Sequence, residues 1–269
     1  MLKLTVLADN HTYIDQYYLG EPAVSYYLEL DKYRLLFDTG YSDVYLKNAA
    51  ALGIDLQHLD AVIVSHGHND HTGGLKYLRA AGRKPKLVGH PGIFAAKRAH
   101  GLAIGCPVSQ ETVAEQFTLA LSRMPVELVP DLWFLGEIER SDAFENKRPV
   151  GEQLLNGTWQ PDFVRDDSAL VYKTESGLVI ITGCSHAGIC NISEYAKKVT
   201  GVEKLRAIIG GFHLPKTAPA EQLEGTLAYF KRQPGLELYP CHCTCFMARA
   251  EMYKSLPVHE VGVSMQVAW

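Results

Sequence analysis

The 269-residue chain predicts an α/β fold of two stacked mixed β-sheets with helices outside, an αβ/βα sandwich. Hairpin patterns occur in both halves of the sequence, and β-α-β patterns follow them, which a single parallel sheet would not produce. No Gly/Ser linker, low-complexity tract or short-period repeat interrupts the chain, so 1–269 reads as one domain.

The elements follow in order. Apolar runs over 2–7, 23–30 and 33–37 read as strands, the last two joined at Asp31-Lys32. Ser42 is placed to cap a helix through Leu52. The continuously apolar 61–65 reads as a buried strand, and 74–81 as a helix. The segment 101–166 carries candidate strands at 126–129 and 132–135. It then turns polar around Trp159 and Pro161, as a lid or insert over a substrate would, or a plain surface connection. From Ser168 the pattern sharpens: a hairpin of 169–173 and 178–182, a helix 189–199, and a strand 205–209. A helix 220–232 and a strand 236–239 close the series.

Composition excludes several functions. A net charge of −4 opposes a nucleic-acid surface, which needs a basic excess, and so disfavours a nuclease. No apolar run is long enough to span a bilayer, and the N-terminal one, closed by Asp9, is too short for a signal peptide. Three of the six cysteines crowd into Cys241-His242-Cys243-Thr244-Cys245, unlike a disulfide framework, so reduced thiols and a cytoplasmic location are expected.

The segment with most chemistry is Ser65-His66-Gly67-His68-Asn69-Asp70-His71-Thr72-Gly73-Gly74. Four potential ligands fall within six residues directly after a buried strand, and the glycines permit a turn that converges them. Imidazoles with one carboxylate suit zinc, iron or manganese, and suit calcium or magnesium poorly. Single histidines are usually satisfied structural groups; three with an aspartate on one loop read as a metal site.

This His-x-His-x-Asp-His segment resembles the signature of the metallo-β-lactamase superfamily. The resemblance implies a dinuclear site, with His66 and His68 on one metal and Asp70 and His71 on the other. It also implies that Asp38, in Asp38-Thr39-Gly40, buttresses the histidine loop. Further stretches resemble one subgroup, the dihydropterin-ribofuranosylaminobenzene-phosphate synthases. Among them are Asp9-Asn10, Asp166-Asp167, Gly183-Cys184-Ser185-His186, Gly210-Gly211-Phe212-His213 and Pro240-Cys241-His242-Cys243. The chain departs from that subgroup at Glu139-Arg140, where Pro-Arg is usual, and has no separate histidine at the superfamily's usual upstream position.

Position supplies the remaining candidates. Cys184 falls where the superfamily places a bridging ligand, and an extended backbone would turn Cys184 and His186 to one side. His186 suits a hydrolytic site better; Cys184 as a thiolate would favour zinc, or be simply a small buried thiol. His242, after the last strand, is placed as the final histidine ligand. Its neighbours Cys241 and Cys243 should face away as core thiols if the backbone stays extended. His213 is a candidate donor to an oxyanion or phosphate, and Asn10 a polar substrate contact, with an ordinary turn asparagine as the alternative.

The expectation is therefore an enzyme with two divalent metal ions, zinc first and iron or manganese next, using a metal-bound hydroxide that Asp70 orients after taking the proton of its parent water. The subgroup resemblance implies a small anionic substrate, phosphorylated or pterin-like, and leaves open a condensing synthase or a non-catalytic metal-containing binding protein. A redox di-iron protein is disfavoured, because those resemble this fold but carry glutamate where this chain has His68.

Overall fold

The computed structural model describes residues 1–142, 144, 145 and 147–269. They divide into two compact units. One holds Met1–Arg123, Val150–Asp162 and Gly262–Trp269; the other holds Met124–Pro149 and Phe163–Val261.

The first unit is built on a mixed sheet. Strands Gln266–Ala268, Leu2–Ala8, Ser25–Leu30 and Tyr33–Phe37 pair antiparallel, and Ala61–Ile63, Lys86–Gly89 and Thr118–Leu121 continue the sheet in parallel. This is the expected hairpin followed by β-α-β. The helix Val44–Ala51 packs on Leu2–Ala8, and Tyr45, Ala49, Leu36, Val62 and Leu87 meet in one apolar core. Burying such side chains contributes roughly 1.5–3 kcal/mol each.

Two local expectations change. The N-cap position is Asp43, whose side chain makes no capping hydrogen bond; Ser42, one residue earlier, accepts the Val44 N–H at 3.2 Å and donates its hydroxyl proton to the Glu21 carboxylate. The helix expected over 74–81 is instead a short helix Asn69–Thr72 running into a 3-10 turn, Gly73–Lys76. Backbone packing explains the shift. A Cβ on Gly73 would lie 2.4 Å from the Tyr41 carbonyl oxygen, and one on Gly74 2.0 Å from that of Thr39, so the chain tightens where it touches the neighbouring loop.

The segment 101–166, apart from 143 and 146, which lie outside the described residues, holds several regular elements. Ser109 caps the helix Gln110–Gln116 by accepting from the Thr112 N–H at 3.2 Å. Strands Gly151–Leu155 and Thr158–Asp162 form a hairpin over Asn156-Gly157, both at positive φ, a pairing that marks a two-residue turn. This hairpin joins Lys97–Ala99 in a separate small sheet of the first unit. Buried Lys97 and Asp162 form an ion pair at 2.7 Å, and the Arg98 guanidinium stacks on Trp159 at 4.1 Å.

The second unit repeats the pattern. Val126–Val129, Leu132–Phe134, Ala169–Thr174 and Gly177–Thr182 pair antiparallel, then Leu205–Gly210 and Glu237–Pro240 add in parallel. Gly177–Thr182 is buried along its whole length, as a strand covered on both faces should be. The helix Ile189–Thr200 lays Ile189, Ile192 and Ala196 on this sheet, and ends at left-handed Gly201.

The buried Glu145 carboxylate accepts the Cys190 and Asn191 N–H groups at the start of that helix. Burial, with nearby Asp142 adding to it, pushes the Glu145 carboxyl up to about 8. A raised carboxyl binds its proton more tightly folded than unfolded. Its contribution is complete below the ordinary carboxylate range and is lost as pH rises toward about 8. The melting temperature should therefore fall between pH about 5.5 and about 8.5, by an amount reflecting a few kcal/mol. Glu145→Gln should flatten that fall. An equally steep fall in the variant would assign it to other groups.

Candidate metal centre

Each unit gathers a cluster of ligand-type side chains at the carboxyl ends of its parallel strands, where loops of α/β sheets place their sites. In the first unit, Ala61–Ile63 leads through Ser65 into His66, Gly67 and His68. The Asn69–Thr72 helix then carries Asp70 and His71. Gly67 is required: a Cβ there would stand 2.3 Å from the Ile93 carbonyl oxygen.

Asp38, at φ 57 just after Tyr33–Phe37, organises this loop from complete burial. Its Oδ1 accepts the Ser65 N–H at 2.7 Å, and its Oδ2 accepts the Ser65 hydroxyl at 2.7 Å. His71 Nδ1 lies 2.6 Å from the same Oδ2. With its proton given to Asp38, the Ser65 hydroxyl can only accept from His66 Nδ1, 2.9 Å away. Nδ1 of each ring is thereby assigned a proton, so Nε2 is the nitrogen left to face a metal. His66 Nε2 sits 3.0 Å from His68 Nδ1, and Asp70 Oδ2 is 3.4 Å from His71 Nε2. One ligand atom from each of His66, His68 and Asp70 lies within 4.8 Å of the others. Burial alone would lower the His71 imidazole, but Asp70 and Asp38 outweigh it and hold the ring well above its ordinary range. The same negative field favours a metal cation.

In the second unit three loops converge, after Gly177–Thr182, Leu205–Gly210 and Glu237–Pro240. The Gly211 N–H donates to the Gly183 carbonyl at 2.8 Å, the Cys241 N–H to Gly210 at 3.0 Å, and the Phe212 N–H to the Thr244 hydroxyl at 2.9 Å. Cys184 Sγ lies 3.2 Å from His242 Nε2, and a His186 ring nitrogen is within 4.8 Å of Cys184 Sγ. The His186 and His213 rings are 4.2 Å apart. Cys184 and His186 do meet, although the backbone between them is not extended: Ser185 has φ 62, held by its hydroxyl to the Gly211 carbonyl at 2.6 Å.

Cys241 is a core thiol as expected, but Cys243 is not. His242 adopts φ 50, so the strand geometry ends before it and Cys243 does not face away. Its thiol donates to the Cys184 carbonyl at 3.4 Å. Burial would raise this thiol, yet contacts with Cys184 and His213 and the charge of His242 hold it well below its ordinary value. Asn10 is exposed after Leu2–Ala8, at the same end of the sheet as Asp38 and Ser65, since those strands run the same way.

The sequence gives Ser65 no role of its own, although it stands beside the histidines; it places Cys243 in the core, and carries no local signal for the contact of Asp167 with the Cys184–His186 loop.

The sequence profile of the metallo-beta-lactamase superfamily matches residues 19–242. The chain belongs to that superfamily. Its members typically bind divalent metal ions, and both clusters supply ligand types that suit one. The chain is 33% identical over 264 residues to the 7,8-dihydropterin-6-methyl-4-(beta-D-ribofuranosyl)-aminobenzene-5'-phosphate synthase of Methanocaldococcus jannaschii, covering 92% of this chain and 89% of that one. An uncharacterized protein of the same archaeon is 30% identical, with 93% of each chain covered. The crystal structure of Tm1679, described as a metal-dependent hydrolase of the beta-lactamase superfamily, is similar with a TM-score of 0.86 and 29% identity. It covers 100% of this chain and 99% of that one. No helix among the described residues is long and apolar enough to cross a membrane.

Proposed function

We propose that this metallo-beta-lactamase superfamily member is a metal-dependent hydrolase acting on a small anionic substrate, phosphorylated or pterin-like. The observation that carries the reading is the cluster of buried His66 and His68 with half-buried Asp70, with His66 and His71 set by Ser65 and Asp38 to present Nε2. His66 and His68 would hold one divalent ion and Asp70 and His71 a second; Cys184, His186 and His242 are the candidate ligands of the second unit. Imidazole, carboxylate and thiol donors together fit zinc best, with iron or manganese next. When bound, such ions supply Lewis acidity and a water acidified to about neutral pH. Asp70 would orient that water and take up its proton, and His213 would donate to the developing charge. The description of Tm1679 supports the hydrolase reading. The name of the methanogen relative supports a phosphate-bearing substrate, and favours a synthase as the second reading.

The test is a screen of phosphomonoesters, phosphodiesters, lactones and thioesters with zinc-loaded protein. Turnover of the phosphate esters, abolished by chelation and restored by zinc, is expected. Turnover confined to neutral lactones or thioesters would overturn the substrate class. No hydrolysis at all by metal-loaded protein would favour the synthase.

Cys184 and His186 separate in a second experiment. His186→Ala should lose metal-dependent activity while Cys184→Ser keeps most of it. The opposite ranking, with a thiolate charge-transfer band in cobalt-substituted protein that Cys184→Ser removes, would make the thiolate the ligand.

A further inference from the structure

The loop that carries Cys184 and His186 is held from behind by a segment outside both clusters. The Asp167 carboxylate is buried, and its Oδ2 accepts the Ala187 N–H at 2.8 Å, with the His186 N–H also directed to it. Asp167 is itself placed by a strained turn. Val164, fully buried, adopts φ 49, a left-handed conformation that a β-branched residue rarely tolerates. Such outliers persist only where the surroundings over-determine them. Here the fixing group is Arg140, whose Nη1 donates to the Phe163 carbonyl at 2.7 Å and Nη2 to the Val164 carbonyl at 2.8 Å. The Asp167 N–H closes the turn on the Val164 carbonyl at 3.1 Å. A planar guanidinium spans two adjacent carbonyls; a lysine ammonium, a point charge, does not fix both.

We propose that Arg140 and Asp167 are positioning residues for the Cys184–His186 loop, doing for the second ligand loop what Asp38 does for the first. In each unit one buried aspartate, on a neighbouring segment, accepts a backbone N–H of a ligand-bearing loop: Ser65 from Asp38 and Ala187 from Asp167. The aspartate touches no candidate metal position itself. It fixes the backbone from which the ligands project, as groups behind metal ligands do. The proposal rests on the metal-centre reading for its consequence, but the holding of the loop stands on geometry alone.

The test measures zinc affinity by chelator competition and amide hydrogen exchange across residues 184–188, in Asp167→Ala, Asp167→Asn and Arg140→Lys proteins. Asp167→Ala should weaken zinc about 10–100-fold. It should also speed exchange in 184–188 while leaving exchange around Ser65 unchanged. Asp167→Asn, which keeps an oxygen for the Ala187 N–H, should lie closer to wild type than to the alanine variant. Arg140→Lys should shift both readouts in the same direction as Asp167→Ala. If the alanine variant does not fold, the asparagine and lysine variants carry the test on the same two readouts. Wild-type affinity in Asp167→Ala or Arg140→Lys, or equal losses in Asp167→Asn and Asp167→Ala, would overturn the proposal. Should wild-type protein bind no zinc, the metal-centre reading fails instead. Exchange then decides this one alone, and unchanged exchange in 184–188 overturns it.

Discussion

Replacing His66 and His68 together by alanine should reduce bound metal from about two equivalents per chain to about one, and lower turnover at least about a thousandfold. The size follows from what is removed. A bound ion at a developing charge supplies several kcal/mol of stabilisation, and each 1.4 kcal/mol or so is a factor of ten in rate. The geometry makes the pair a clean target. His66 Nδ1 is committed to Ser65, so only Nε2, facing His68 Nδ1 at 3.0 Å, is left to bind an ion. Asp38 keeps its grip on Ser65 and His71 in the variant, because neither histidine lies between them. The second ligand pair, Asp70 and His71, is therefore expected to stay in place. Elemental analysis of zinc-reconstituted protein, with turnover on the same sample, checks both numbers. A full complement of metal in the double variant would remove His66 and His68 from the ligand set and sink the assignment.

The clustering of candidate ligands was legible where they are local in sequence. His66, His68, Asp70 and His71 lie within one turn of chain, so their side chains had little choice but to converge. The hairpins and central strands were legible because burial on one or both faces writes its period directly into the sequence. The second cluster was legible only in part, since its members are spread from Cys184 to His242 and their directions depend on the backbone after each strand. Assuming an extended backbone placed Cys243 wrongly, because His242 enters the left-handed region and swings the thiol toward Cys184. Asp167 stayed hidden for a related reason. Its partner is a backbone N–H twenty residues away, and no periodicity or spacing records such a contact. The turn Asn156-Gly157, by contrast, carries a two-residue hairpin signal that the reading of this polar stretch as a lid, insert or surface connection overlooked.

Replacing His213 by alanine should cut kcat about a hundredfold while leaving metal content unchanged. His213 follows Gly210, which lies close against Thr182, and Gly211, which lies close against Gly183 and Cys243. The loop enters the left-handed region at His213 itself, φ 44, and the ring rests 4.2 Å from that of His186. Packed against a ligand candidate at the mouth of the same loops, His213 is proposed to act on substrate. Removing one preorganised donor to a developing negative charge costs roughly 2.7–4 kcal/mol, which sets the hundredfold lower bound. Because that charge develops in the transition state, the loss should fall on kcat more than on KM. His213→Gln, which retains an N–H donor near the same position, should recover part of it. Steady-state kinetics alongside elemental analysis separates the outcomes. Loss of metal in His213→Ala would recast the residue as a ligand, and a rate within about threefold of wild type would show that it contributes no donor to the reaction.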